Sequence, residues 1–343
     1  NKPKKNNKGK YFTLQDYKYL LIRTQQNYNI VGFEILDKPE LDTNLALIRH
    51  DIDISVEQAL KLAKIEHSIG VRATYTILLT DSFYNPLEKR YKSLIKEIIN
   101  LGHDIGLHFD ASWHDIKSEK ELDEALIWQV NILNKTLELK NESTIKMFSF
   151  HNTTKFTMSC KKSHYAGLRN AYAGILQDKV QYTSDSNGYW IYRSWDQLLE
   201  EDHDRIQILT HPIWWHENDS EPAEKICNQI SSKRLACWTN YRNLLEKLNR
   251  QNKMGLIHAS KILAEIYGRD GEENLIDWLS GNKEKAFISI YISYKRKLFT
   301  KIKEIIEYHF DVNEIDLINF NLEYLFCSDY ILLLDNIFGN KLE

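Results

Sequence analysis

The sequence predicts an α/β protein: an incomplete or distorted (β/α) barrel of about seven parallel strands, followed by a C-terminal all-helical appendage. Three observations predict it. Between about residue 45 and residue 235, short β-branched or apolar runs alternate with amphipathic helical segments, as in successive βαβ units. Residues of metal-binding or acid–base type stand just where successive runs end. Beyond about residue 240, long helical periodicities continue with no strand between them.

The elements follow in order. Leu45–Ala46–Leu47–Ile48 is a first strand, running into Arg49–His50–Asp51–Ile52–Asp53. Ser55 to Gln58 is a capping-box pattern, and Val56, Ala59, Leu60 and Ala63 then share one helical face up to a stop at Gly70. Val71 to Ile77 reads as the second strand. Leu87, Tyr91, Leu94, Ile95 and Ile98 form the next helical face, stopped by Gly102, and His103 to His108 is the third strand. Ser118 to Glu121 is a second capping box, with Leu122, Ala125, Leu126, Val130 and Leu133 facing inward. Lys146 to Phe150 is the fourth strand, Asn170–Ala173 and Val180–Thr183 are weaker ones, and Arg205–Thr210 is a clear late one. No G-x-G-x-x-G or P-loop follows the first strand, which speaks against nucleotide binding. The expected division is a basic, disordered segment 1–11, the barrel 12–240 and the helical region 241–343.

Composition narrows the classes. The 343 residues are 43% hydrophobic and 27% charged, with 45 Lys plus Arg against 48 Asp plus Glu. The net charge of -3 gives no reason to expect nucleic acid as a partner. No apolar run approaches the ~18 residues of a spanning helix, and no secretory leader opens the chain, so a cytoplasmic protein is expected. Cys160, Cys227, Cys237 and Cys327 form no close pair, so reduced thiols are expected and a zinc knuckle is not. Eight Trp residues fill cores first and stack on sugar rings second. Oligomeric state is not legible.

The strand ends carry the chemistry. Asp51 and Asp53 end the first, His108 and Asp110 the third, His151 the fourth, Asp185 follows the run near Val180, and His211 ends the last. In parallel α/β barrels all these ends share the face that holds the active site. Asp51 and Asp53, two apart on an extended segment, point the same way, and their repulsion calls for a cation or a shared proton. A capping Asp beside a solvated one is the bland alternative. His103 and His108 are five apart and face opposite sides, and His108 at the exit is the better ligand. His211, before Pro212 and beside Trp214 and Trp215, is placed as a proton donor.

From about Phe12 to Trp215 these segments resemble the polysaccharide deacetylases, carbohydrate esterase family 4, as a divergent branch with an Arg-His-Asp-x-Asp first motif. The resemblance makes Asp51 the catalytic base and Asp53 a metal ligand, puts His108 at the family's metal-binding histidine, and makes His211 the general acid. Tyr182 to Trp190 is similar to the family's late Asp-containing motif, through Asp185. Two positions depart from the pattern. Ser112 stands where the family has a second metal histidine, which leaves the third ligand to His151, Asp110 or His114, with His151 favoured. Ser149–Phe150–His151–Asn152 replaces the family's Arg-Pro-Pro motif.

The implied activity is hydrolysis of an acyl group, N-acetyl first, from an acylated carbohydrate substrate. The implied cofactor is a divalent ion, Zn²⁺ before Co²⁺, Ni²⁺ or Mn²⁺, on Asp53, His108 and His151. Asp185, Trp190, Trp214 and Trp215 are the expected substrate-binding residues, with Trp113 a further candidate. Two rival readings are a hydrolase of a non-sugar C–N bond, as in the allantoinase-like branch, and an inactive binding or scaffold protein.

Overall fold

The computed structural model describes residues 12–190 and 193–248. The basic N-terminal segment and the helical region expected after residue 240 lie outside these residues, except for the end of the last helix. In chain order the elements are α1 (Leu14–Asn27), β1 (Asn29–Val31), β2 (Leu45–Ile52), α2 (Val56–Ser68), β3 (Thr74–Leu78), α3 (Lys89–Asn100), β4 (Asp104–Asp110), α4 (Glu119–Leu137) and β5 (Met147–His151). They continue with α5 (Lys155–Ser159), β6 (His164–Tyr165), β7 (Leu168–Asn170), α6 (Gly174–Lys179), β8 (Gln181–Ser184), α7 (Trp195–Glu200), β9 (Arg205–Thr210) and α8 (Pro222–Lys247). Among the described residues no helix is long and apolar enough to cross a membrane.

One sheet of nine strands runs in the order β6-β7-β5-β4-β3-β2-β9-β8, with β1 also beside β2. Every neighbouring pair is parallel except β6 and β7. The α/β class and the mainly parallel sheet are as the sequence predicts, and the sheet is an unclosed, curled one, in keeping with an incomplete barrel. The strand count is higher because β1 and β6 are two or three residues long, too short for an alternation pattern to register, and the weak strand expected at Asn170–Ala173 is the short β7, shifted to Leu168–Asn170. The second strand also begins later than expected, at Thr74. Before it, the Ala73 amide donates to Nδ1 of His103 at 3.2 Å rather than to a neighbouring strand. That contact confirms His103 as a structural residue.

Strand alternation sorts the core into two parts. Ala46, Ile48 and Ile52 of β2 face the helices and join the large core with Val56, Ala59, Leu62 and Ala63 of α2. Leu45 and Leu47 face the other way and meet Phe33, Met147, Ala171, Ala173, Leu176 and Val180. Residues from β5, from beyond β7 and from just before β8 thus share one small apolar plug with β2. Such a plug requires the sheet to curl, and it leaves Arg49, Asp51 and Asp53 as the next residues on the plugged face. The helices start where the sequence marks them. The Ser55 hydroxyl accepts from the Gln58 amide at 3.3 Å, and Ser118 and Glu121 form a reciprocal capping box.

A polar cluster lies on the helix side of β2. The Glu66 carboxylate of α2 accepts from Tyr17, from Tyr75 at 2.5 Å and from Nε2 of His50 at 2.6 Å, with all of these side chains buried. Nδ1 of His50 pairs with the Thr210 hydroxyl at 2.6 Å, tying α1, α2, β2, β3 and β9 together. Burial works against the Glu66 charge, but His50 outweighs it and holds the carboxyl below its ordinary 4.5. A depressed carboxyl stabilises the fold fully above its unfolded value, and the contribution fades as pH falls through the folded one. Glu66→Gln is therefore expected to cost about 3 kcal/mol at pH 7. The check is thermal unfolding of both proteins as a function of pH, where the gap in Tm should narrow below pH 4.5. Equal Tm values at pH 7 would contradict this reading.

Candidate metal centre

The site is built from the exits of the parallel strands. Registers place Asp51 beside Thr76, Leu78 beside His108, His108 beside Ser149, and Asp110 beside His151. Neighbouring strands lie about 4.8 Å apart, so polar residues of the same parity in β2, β3, β4 and β5 are held within reach of one another. Gly106 leaves room for the side chains of Met147 and Thr76. A Cβ there would lie 2.0 Å from Sδ of Met147 and 3.0 Å from Cγ2 of Thr76. At the end of β5, Asn152 takes a left-handed backbone (φ 35°), which an Asn tolerates and which turns the chain directly after His151.

Three donor atoms meet at the strand exits. Oδ1 of Asp53 is 3.1 Å from Nε2 of His108 and 3.5 Å from Nδ1 of His151, and the two ring nitrogens are 3.2 Å apart. A tetrahedral ion at 2.0–2.1 Å from each donor separates its donors by about 3.3 Å. Oδ1 of Asp53 is buried, and the groups that approach it are the ring nitrogens of His108 and His151. Two ring nitrogens and a carboxylate oxygen at this spacing fit a divalent cation as well as a shared proton. Burial works against the Asp53 charge, yet the imidazoles of His108 and His151 hold the carboxyl well below the usual range. Among the described residues these three are the one group of His, Cys, Asp or Glu donors that converge within 4.8 Å.

The residues behind the donors fix their orientation. Nδ1 of His108 is 2.7 Å from Oγ of Ser149. With the proton on Nδ1, Nε2 is left as a lone-pair donor toward Asp53. The Ser149 hydroxyl in turn lies 3.2 Å from Oδ1 of Asp51. Nε2 of His151 meets the Asn152 side-chain amide at 2.8 Å, a group that can present either its N–H or its carbonyl.

Asp51 sits beside this triangle and is 2% exposed. Arg49, one turn of the pleat below, brings Nε to 3.0 Å from Oδ1 and donates from Nη2 to Oδ2 at 3.1 Å. Thr76 donates to Oδ1 at 2.7 Å. Burial raises the Asp51 carboxyl, but the Arg49 guanidinium outweighs that and keeps it ionised. Oδ2 carries one hydrogen bond from the protein and retains a free lone pair. Arg49 itself lies 5.4 Å from the centroid of the Tyr172 ring, a cation–π contact.

On the far side of Asp53, Nε2 of His211 is 3.7 Å from Oδ2. Nδ1 of His211 bonds Oδ1 of Asp185 at 2.7 Å, and the His211 amide donates to the same oxygen at 2.9 Å. Burial would lower the His211 value, but the Asp185 carboxylate pushes it up to about 9, so the ring is protonated at neutral pH. Asp185 was expected to touch substrate, yet it is fully buried. Its Oδ2 accepts from Nε1 of Trp215 at 2.8 Å. Oδ1 thus orients His211, while Trp215 holds the other oxygen in place.

The tryptophans also divide differently from the expectation. Trp215 is fully buried and has no face for a ligand. Trp190 stacks on Phe12 at 5.7 Å. Trp214 is 8% exposed, with its Nε1 buried and without a partner. Trp113 is exposed. Asp110 and His114, the alternative third ligands, are engaged elsewhere. Asp110 accepts from the Ser112 amide at 2.9 Å, and His114 pairs with Gln129 at 2.7 Å.

No family model and no curated protein matches the chain. Solved structures to which it is similar include a family 4 acetyl xylan esterase from Clostridium thermocellum in complex with a cobalt ion. That pair has 15% identity and TM-score 0.34, covering 55% of this chain and 84% of that one. Another is a chitin deacetylase from Colletotrichum lindemuthianum, at 17% identity and TM-score 0.31, covering 57% and 86%. A third is a family 4 pseudoenzyme from Bacillus anthracis, at 13% identity and TM-score 0.30, covering 55% and 60%.

The geometry predicts the behaviour of Ser149, to which the sequence assigned no role. Ser149→Ala removes the partner of His108 Nδ1 and should weaken divalent-ion binding about 10- to 100-fold. Titration of metal-free protein with Zn²⁺ or Co²⁺ measures this, and an unchanged affinity would contradict the assignment of His108.

Proposed function

We propose that this protein is a metal-dependent hydrolase that removes an acyl group, N-acetyl first, from a sugar or polysaccharide precursor. The observation that carries the reading is the Asp53–His108–His151 triangle, flanked by Asp51, held by Arg49, on one side and by His211, held by Asp185, on the other. The motif resemblance contributes the substrate class. Zn²⁺ suits the donor set first, and Co²⁺, Ni²⁺ and Mn²⁺ suit it as well.

A divalent ion held by Asp53, His108 and His151 supplies Lewis acidity toward an acyl oxygen and makes nearby water a stronger acid. The free lone pair on Oδ2 of Asp51 accepts the proton that the attacking water gives up. Arg49 and Thr76 keep that carboxylate ionised and in place. His211 donates its Nε2 proton to the departing nitrogen or oxygen as the acyl C–N or C–O bond breaks. Asp185 holds His211 in the required tautomer, as a buried carboxylate does for a catalytic imidazole. The products are a carboxylic acid and a free amine or alcohol.

Two substitutions test the roles separately. Asp51→Asn should lower turnover of an acetylated sugar by about 10²- to 10⁴-fold while the protein keeps its bound ion. Full activity in that variant would sink the assignment. Asp185→Asn should lower kcat by about 10²-fold with much less effect on KM, because it disturbs a proton donor and not a substrate contact. A change confined to KM would return Asp185 to the substrate-binding set.

A further inference from the structure

Tyr172, just beyond β7, has no part in the chemistry above, yet it meets the side chain that holds the base. Cζ of Arg49 lies 5.4 Å from the centroid of its ring. Strands β5, β4 and β3 stand between β7 and β2 in the sheet, so this contact crosses the inside of the curl. Arg49 is 1% exposed and spends one edge of its guanidinium on Asp51, with Nε 3.0 Å from Oδ1 and Nη2 donating to Oδ2 at 3.1 Å. That pairing leaves the flat face of the guanidinium unsupported. Tyr172 is itself held firmly. The fully buried Asn170 accepts from the Tyr172 amide at 2.9 Å and donates from Nδ2 to the carbonyls of Cys160 at 2.9 Å and Lys162 at 3.0 Å. Gln177 donates to the Tyr172 carbonyl at 2.8 Å. The ring packs on Phe150 of β5 with centroids 5.6 Å apart, while the hydroxyl makes only a long bond, 3.4 Å, to the Phe150 carbonyl. Burial raises the Tyr172 hydroxyl and Arg49 opposes this, so the phenol is neutral at neutral pH.

We propose that Tyr172 is a positioning residue for the base Asp51, acting through Arg49. A desolvated guanidinium beside an aromatic face is attracted by the ring quadrupole, and the same face packs against its plane. Arg has a long side chain with much rotamer freedom, and two contacts along one edge leave it able to pivot about Asp51. The ring removes that freedom. With the guanidinium fixed, one lone pair of Oδ2 stays bonded to Nη2 and the other stays open for the attacking water. A pivoting Arg49 can occupy both. Core packing beside Ala171 and Ala173 of the apolar plug would be met by Leu or Met, which offer no π-face. A cation against the ring is what selects an aromatic residue here. The inference rests on the proposed function for the role of Asp51, and it deepens that function by naming what keeps the base in register.

The test uses the full chain loaded with Zn²⁺, with N-acetylglucosamine and an O-acetylated xyloside as substrates. Tyr172→Leu removes the ring and Tyr172→Phe keeps it. Tyr172→Met, nearer in length, guards against a packing defect in the Leu variant, and Tm reports folding. The Leu and Met variants should lower kcat about tenfold, with KM and Zn²⁺ affinity within about twofold of the parent. Phe should recover most of that loss. A second readout needs no turnover. The Arg49 Nε–H signal in a nitrogen-edited NMR spectrum, assigned by its loss in Arg49→Lys, should exchange with solvent about tenfold faster in the Leu and Met variants. Unchanged kcat and exchange in both would overturn the proposal. So would a loss confined to KM, which makes Tyr172 a substrate contact, or a fall in Tm alone, which makes it core filler. Equal losses in the Phe and Leu variants would overturn it too, by assigning the role to the hydroxyl. Ring-dependent protection of Arg49 in a protein that turns over no acyl substrate would uphold the Tyr172–Arg49–Asp51 stack and remove the hydrolase reading. Turnover indifferent to the ring would do the reverse.

Discussion

Three donor atoms crowded together at the strand exits are the constraint on which the rest of the site depends. The Asp53 carboxylate oxygen and the ring nitrogens of His108 and His151 lie 3.1–3.5 Å from one another, with His108 buried and the other two residues partly so. Lone pairs at that spacing repel one another unless a cation or a proton lies between them. Under the proposed metal-dependent reading the other placements follow. Ser149 must settle the tautomer of His108, Asp51 must stay ionised but separate, and His211 must carry its proton away from the donors. Arg49, Thr76 and Asp185 do this through buried contacts of 2.7–3.1 Å.

The scaffold makes such crowding possible. A parallel sheet sends every strand exit to the same side, and its curl lets β2, β4, β5 and β9 deliver side chains to one point. The apolar plug of Leu45, Leu47 and Met147 supports the site from below, and the absent side chain of Gly106 gives Met147 and Thr76 room. On the opposite face of β2, the cluster around Glu66 and His50 locks the same strand to α1, α2, β3 and β9. One strand thus carries alternate polar residues for two purposes, His50 for the fold and Asp51 for the site.

Legibility in the sequence followed the strand ends. Asp51, Asp53, His108, His151 and His211 were readable because polar residues of catalytic type at the exits of apolar runs are unusual, and the structure brings them together. Arg49 and Ser149 stood in quoted motif segments without a role, and Thr76 was read only as part of a strand. An inward polar residue inside a strand looks the same whether its partner is a neighbouring strand or water. The parity shared by Arg49, Asp51 and Asp53 was an available signal, as was that of Ser149 with His151. Asp185 and Trp215 were assigned to substrate because a motif shows residue types but not which side of a wall they occupy. The eight-residue strand β2 and the long helices were clear. Strands of two or three residues lie below the reach of periodicity.

The measurement that bears most directly on this account is anomalous diffraction from crystals of the Zn²⁺-loaded protein, recorded on both sides of the zinc absorption edge. The account predicts a single strong peak about 2.0–2.2 Å from Oδ1 of Asp53, Nε2 of His108 and Nδ1 of His151. A peak ligated instead by Asp110 or His114, or no peak among these strand ends, would contradict it.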